Sequence, residues 1–175
     1  MKIEVGDYVL REYSIEDAAD LYEILSDKER SWWFGWGRPL ADLDDAKEYI
    51  EYWMGGAGSY DSYEETVFAI VNKGKVMGVI SVSKDKLEKT AEFGYVIHPD
   101  YEGKGIMPQI VNALSEELFL NDDIDTLIIS AMECNKRSCR VAEKCGFHKT
   151  EDIGYRTDGR ELVIYIRYSS MKTAA

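Results

Sequence analysis

The chain has little positive charge, few cysteines and no long apolar run. Its 175 residues carry 21 lysines and arginines against 33 aspartates and glutamates, a formal net charge of −12. That balance argues against broad binding to a phosphate backbone, and so against a nucleic-acid partner. It suits a cationic partner, although acidity alone also serves plain solubility. Cys134, Cys139 and Cys145 are an odd number, spaced five and six apart. Such spacing matches no usual zinc pattern, so no metal is expected, and it pairs poorly as a disulfide framework. Three free thiols imply a reducing, cytoplasmic setting. No apolar stretch approaches the ~20 residues of a membrane helix, and the opening MKIEVGDYVLREY scatters charges where a signal peptide needs an apolar region. No membrane partner is expected.

With 45% hydrophobic residues the chain can bury a sizeable core. Its length suits one domain, read as 1–168, with 169–175 as a flexible tail. No repeat, proline-rich linker or low-complexity tract divides it.

Tyr8–Tyr13 reads as a first strand. Ser14, with Asp17 three residues on, resembles a capping box that opens a helix carrying Ile15, Ala18, Leu21, Tyr22 and Leu25 at helical spacing. A loop then packs Trp32, Trp33, Phe34 and Trp36 into five positions, and a second helix runs from about Asp42 to Met54. Strands follow at Thr66–Val71, Val76–Ser83 and Thr90–His98, separated by the turn-like segments NKGK and SKDKLEK. A helix from about Gly105 to Leu120 leads to the apolar strand Thr126–Ala131, as a buried parallel strand should look. A helix at Lys136–Cys145 ends at Gly146, a left-handed C-cap. The strands Phe147–Arg156 and Glu161–Tyr168 flank the hairpin signal Thr157-Asp158-Gly159-Arg160. The order β-α-α-β-β-β-α-β-α-β-β holds one strand–helix–strand unit, Thr90 to Ala131, in an otherwise antiparallel sheet. Ligands favour the C-terminal ends of such parallel strands, which directs attention to His98–Gly105.

In that segment Pro99 ends strand pairing, and Gly103 and Gly105 let successive N–H groups converge at a helix start, a nest for phosphate or pyrophosphate. Pro108 falls in the first helical turn, where it is tolerated but donates nothing. G-x-G alone is a weak signal. A second segment strengthens it: Lys136, Arg137, Arg140 and Lys144 lie within nine residues of a strongly acidic chain. Arg137, Arg140 and Lys144 share one helical stripe, either a solvated face or a positive patch beside a polyanion.

These segments resemble the GNAT N-acetyltransferase superfamily, and within it the Rim-type, ribosomal-protein branch. The resemblance is carried by Ala91–Gly105 (AEFGYVIHPDYEGKG), by Asn135-x-x-Ser138 and by Val141–Phe147 (VAEKCGF). It implies an α/β fold with a mixed, mostly antiparallel central sheet, helices on both faces and a β-α-β core that binds acetyl-CoA. It further implies that backbone groups of Val96, Ile97 and His98 bond the pantetheine arm, and that Gly103, Lys104, Gly105 and Ile106 cradle the pyrophosphate. Asn135 would fix the cofactor near the thioester and Ser138 would lie close to the sulfur. Glu102 and Met107 depart from the usual family residues; Glu102 is expected to turn its carboxylate to solvent.

An amine attacks a thioester only as the free base, so a proton must be removed. Glu92 is the first candidate, on a strand face with Gly94, Val96 and His98; a glutamate often stands there in Rim-type relatives. Glu133 is the second candidate. His98 titrates in a suitable range, but His-Pro there also serves simply to shape a strand end. Ser138, rather than Tyr155, is expected to stabilise the departing thiolate. The cysteines are read as bystanders, and Gly55–Gly58 as a connector. The aromatic segment, through Trp33 and Trp36, and Tyr95 form the expected acceptor wall, since aromatic faces hold cations. The acceptor is expected to be a protein N-terminus, with a polyamine or aminoglycoside as the alternative and a non-catalytic acetyl-CoA-binding domain as a third reading. Relatives of this type commonly pair, which admits a homodimer.

Overall fold

The structure is a computed structural model that describes residues 2–34, 38–56 and 62–169. Among them, eight strands form one sheet: β1 (Lys2–Val5), β2 (Tyr8–Glu12), β3 (Tyr63–Asn72), β4 (Lys75–Asp85), β5 (Thr90–Ile97), β6 (Thr126–Ala131), β7 (His148–Tyr155) and β8 (Glu161–Tyr168). Their spatial order is β1-β2-β3-β4-β5-β6-β8-β7. Every neighbouring pair is antiparallel except β5 and β6. The helices are α1 (Ala18–Leu25), α2 (Lys28–Phe34), α3 (Leu43–Met54), α4 (Ile106–Asn121) and α5 (Lys136–Lys144).

Local chemistry starts and stops these elements. Ahead of α1 the Ser14 N–H donates to the Asp17 carboxylate at 2.9 Å, which is the reach-back half of the expected capping box. Both terminal nitrogens of Arg11 also donate to that carboxylate, at 2.6 and 2.8 Å. Asp42 caps α3 by accepting from the N–H groups of Asp44 and Asp45. After α5 the chain turns through Gly146 (φ +74°), and the Phe147 N–H returns to the Ala142 carbonyl at 3.0 Å.

Helices cover both faces, as the family resemblance implied. On one, Ile110 and Leu114 of α4 pack with Phe68, Ile80, Leu127 and Ile129. On the other, Leu21 and Ile24 of α1 and Ile50 of α3 pack with Ala69, Val79 and Val96. Strand β5 serves both cores because its side chains alternate: Ala91 and Phe93 enter the first, Val96 the second.

Two elements differ from the expectation. Strand β1 precedes the expected first strand, hairpinned to β2 with Val5 opposite Tyr8. It is a short, charged edge strand, the kind that gives little periodic signal. The expected aromatic loop is instead helix α2 through Phe34. The Arg30 N–H donates to the Asp27 carboxylate at 3.0 Å, a cap on this short helix. Seven residues are too few to be helical alone, so tertiary contacts hold it. Strand β3 also begins at Tyr63 rather than Thr66, which brings Glu64 and Glu65 into the sheet. At the far end Ser169 is buried, with its N–H donated to the Asp125 carbonyl; residues 170–175 lie outside the described residues.

Candidate active site

The parallel pair separates almost as soon as it forms. β5 and β6 are in register only over Thr90–Glu92 against Thr126–Ile128. Beyond that point β5 stays with β4 as far as Ile97 opposite Gly78, and β6 stays with β8 as far as Ala131 opposite Val163. The wedge between them is a cleft of about 730 Å³, within the range of small-molecule sites. The His98 N–H donates to the Met77 carbonyl at 2.7 Å. Backbone groups of a strand alternate sides, so those of Tyr95 and Ile97 turn toward the wedge. Val96 and Ile97 line it; His98 does not.

At the wide end lies the segment Glu102–Ile106. Gly103 (φ +72°) and Gly105 (φ +75°) both adopt the left-handed conformation that other residues rarely take. Gly105 is the N-cap of α4, no side chain caps that end, and no acidic residue occupies its first turn. The first amides of a 16-residue helix are therefore left for an anion. Gly103, Gly105 and Ile106 line the cleft; the Lys104 ammonium sits instead 5.3 Å from the Tyr101 ring centroid. Glu102 does not face solvent as expected. Its two oxygens accept from Arg30 on α2 at 3.2 Å and from Arg137 on α5 at 2.6 Å. Charge attraction to two guanidinium groups outweighs hydration there. Met107 is buried in the core.

The basic stripe of α5 faces this cleft: Arg137, Arg140 and Lys144 all line it. Arg137 is spoken for by Glu102 and by Glu29. Among the described residues no carboxylate pairs with Arg140 or Lys144. An uncapped helix end and two uncompensated cations on one wall fit a diphosphate-bearing nucleotide arm.

Nearer the vertex stand the groups suited to proton transfer. Glu92 is exposed, lines the cleft and occupies the last position of β5 that pairs with β6, opposite Ile128 on that side and Ser83 on the other. Ser138 lies in the first turn of α5, where its N–H donates to the capping Asn135 side chain at 3.3 Å. Its hydroxyl is 2.9 Å from the Tyr95 hydroxyl. Tyr95 thus packs against the α4–α5 core beside Ser138 and also lines the cleft that Trp33 lines. Burial pushes its pKa well above the usual phenol value, so it keeps its proton at neutral pH. Glu133 is off the cleft: a hydrogen bond from Lys149 at 2.7 Å lowers its pKa and occupies it. Tyr155 lines the cleft on the exposed β7 hairpin.

Helix α2 forms the opposite wall with Arg30, Trp33 and Phe34. Trp33 donates its indole N–H to Glu29 at 3.2 Å. The β7–β8 hairpin reaches across to this helix, where Arg156 donates to the Trp32 carbonyl at 2.8 Å and Arg160 stacks 4.4 Å from a Trp32 ring centroid. Trp36 lies outside the described residues. Arg30, Tyr95 as partner of Ser138, and Glu65 with Ser83 were missed at the sequence level. Only the register of three antiparallel strands brings the last two into line with Glu92.

Comparison with known proteins agrees with this geometry. Residues 8–148 match the acetyltransferase (GNAT) domain. The ribosomal-protein-serine acetyltransferase of Escherichia coli is 25% identical over 131 residues, covering 73% of this chain and 71% of that one. The microcin C7 self-immunity acetyltransferase MccE, solved with acetyl-CoA and AMP, superposes with a TM-score of 0.80 at 23% identity, covering 94% of this chain and 93% of that one. AAC(6')-Ib, solved with ribostamycin and coenzyme A, superposes at 0.74 with 20% identity, covering 96% and 97%. With the domain matched over most of its length, and with a splayed parallel pair opening onto an anion nest, the chain belongs to the GNAT acetyltransferase family, whose acyl donor is acetyl-CoA.

Proposed function

We propose that this enzyme transfers the acetyl group of acetyl-CoA directly to the α-amine of a protein chain. The observation that carries the proposal is the placement of Glu92 and the Ser138–Tyr95 pair around one opening, at the vertex where β5 and β6 part. Gly103, Gly105 and Ile106, with Arg140 and Lys144, would hold the donor's phosphates, and Ile97 its arm. Glu92, directly or through a water, takes a proton from the ammonium. The freed nitrogen lone pair bonds to the acetyl carbonyl carbon, the carbon–sulfur bond breaks, and its electron pair leaves on sulfur. The new amide sheds its second proton to solvent, and the sulfur gains one from the Ser138 hydroxyl, which Tyr95 re-supplies while taking a proton back from solvent. No acyl-enzyme is needed. An α-amine, with a pKa near ~8, gives up its proton far more readily than a lysine near ~10.4.

Similarity to the E. coli ribosomal-protein enzyme supports a protein N-terminus as acceptor. A polyamine or aminoglycoside is the second reading, favoured by the net charge of −12 and by the fold shared with AAC(6')-Ib. Free-thiol release from acetyl-CoA, measured against N-terminal peptides, spermidine and aminoglycosides, tests both. Turnover on peptides that drops about 100-fold or more in Glu92→Gln is the expected result. Turnover confined to the small amines would replace the acceptor, and turnover untouched by the substitution would remove Glu92 as base.

A further inference from the structure

The phosphate turn and the opposite wall of the cleft are tied together through side chains. Glu102, the residue just ahead of Gly103, accepts from Arg137 Nη1 at 2.6 Å. The second nitrogen of that guanidinium, Nη2, donates to Glu29 on α2. The same Glu29 oxygen accepts the Trp33 indole N–H at 3.2 Å. A continuous hydrogen-bonded path therefore runs from the phosphate turn, by way of α5, to a ring that lines the far wall. A branch holds the helix itself: Arg30 donates to Asp27 at 2.9 Å and to Glu102 at 3.2 Å. The Arg30 side chain is 12% exposed, and its Nε is buried with no partner among the described residues. Asp27 and Glu102 thus compensate a nearly buried charge between them, and losing either leaves it poorly paired. On its sheet side, α2 brings the Phe34 ring within 3.8 Å of where a Gly94 side chain would begin, on the strand face that also carries Glu92. Any shift of α2 moves the wall that faces Glu92.

We propose that Glu102 is a positioning residue for the acceptor: through Arg137, Glu29 and Arg30 it sets where α2 holds Trp33 beside the reacting amine. The inference rests on the amine-acetylation reading, with α2 as the wall the acceptor meets, and adds what fixes that wall. Place in the sequence points the other way. A carboxylate beside a phosphate-binding turn repels phosphate, so by proximity alone its removal would chiefly tighten acetyl-CoA. Both Glu102 oxygens, however, are engaged by cations. One of these belongs to α2, and the other reaches α2 through Glu29. The bridge is also specific to arginine. Two nitrogens of one planar guanidinium serve two carboxylates at once, a geometry that a lysine ammonium does not reproduce. A helix of seven residues is too short to hold its own place, so such contacts decide where it stands.

Steady-state kinetics at saturating acetyl-CoA, with the best of the peptides, spermidine and aminoglycosides as acceptor, test this alongside calorimetric acetyl-CoA binding. Glu102→Gln should raise the acceptor KM about fivefold, the upper range for ion pairs open to water. Both kcat and acetyl-CoA affinity should stay within about twofold, the split that marks lost acceptor binding. Arg137→Lys should raise the acceptor KM similarly although it keeps the charge. Trp33→Phe keeps a ring and loses the N–H. Combined with Glu102→Gln it should cost little more than the larger single effect, because the two positions are coupled through Arg137 and Glu29. Glu29→Gln, in the middle of the path, serves if Glu102→Gln folds poorly. An unchanged acceptor KM in Glu102→Gln, a loss that falls on acetyl-CoA affinity instead, or effects of Glu102→Gln and Trp33→Phe that simply multiply, overturns the inference. Failure of every probe to be acetylated would overturn the proposed reaction, and fluorescence then tests the path by itself. The difference between each protein and its Trp33→Phe form isolates the Trp33 emission, which should move to the red in Glu102→Gln as the ring gains water; an unmoved band overturns the inference.

Discussion

Replacing Tyr95 by Phe removes one oxygen and little else, so its consequences can be worked out in advance. The lost group is a part-buried hydroxyl 2.9 Å from that of Ser138. One such hydrogen bond contributes about 1 kcal/mol net, and in a chain of this size that corresponds to a melting temperature lower by roughly 2–4 °C. The kinetic effect should be larger. If the phenol supplies the proton that Ser138 passes to the thiolate, its loss removes general-acid assistance worth about 100-fold, the lower end of the usual range because a thiolate leaves well unaided. Ser138→Ala should cost about the same, and the double variant hardly more, since the two act as a unit. Steady-state thiol release on the four proteins of the cycle measures this. A variant that melts lower but turns over at the wild-type rate, or two losses that simply multiply, would show that the pair only packs α5 against β5.

The same phenol has a signature in alkali. Burial raises the pKa of Tyr95 in the folded chain, and that of the fully buried Tyr13 as well, while the unfolded chain loses both protons near pH ~10. Their contribution is whole below that pH and is lost as pH rises from there through the raised folded-state values, by at most ~1.4 kcal/mol per pH unit per group; melting curves should therefore fall more steeply above pH 10 in the wild type than in Tyr95→Phe. Gly105→Ala meets no atom within 4 Å, so its cost is conformational, about 1–2 kcal/mol for a left-handed alanine. It should lower the melting temperature by roughly 2–8 °C and weaken acetyl-CoA binding in calorimetry; unchanged affinity would detach this turn from the phosphate site. Arg140→Gln with Lys144→Gln should weaken acetyl-CoA about fivefold at low salt, with the difference closing as ionic strength rises. A salt-independent loss would mean a packing role. A disulfide reagent should titrate one thiol of the native protein, the exposed Cys134, and reach Cys139 and Cys145 only after unfolding. Burial raises the Cys145 pKa to about 11, so a fast second thiol would show that α5 opens readily.

Much of this protein was determined by its sequence alone. The apolar run of β4, the four-residue spacing of Ile106, Ile110, Leu114 and Leu118, and the caps at Asp42 and Gly146 are local, and each specified its element because the physics involved spans only a few residues. The glycine pair ahead of α4 and the basic stripe on α5 were legible for the same reason: a turn and a helix face are set by near neighbours. Other features required the folded chain. Helix α2 is too short to declare itself, and it stands through Asp27, through Arg30 on Glu102 and through Arg156 on the Trp32 carbonyl, contacts up to 124 residues apart in sequence. Glu102 looked like a solvent-facing departure until two arginines from separate helices were found on it. Tyr95 meets Ser138 because odd-numbered side chains of β5 point toward α4 and α5, an orientation set by which sheet face each helix covers. The row Glu65–Ser83–Glu92 exists only in the register of three strands. A spacing along one strand can be read from the chain, whereas a spacing across strands is decided by pairing, which depends on the burial of every strand at once.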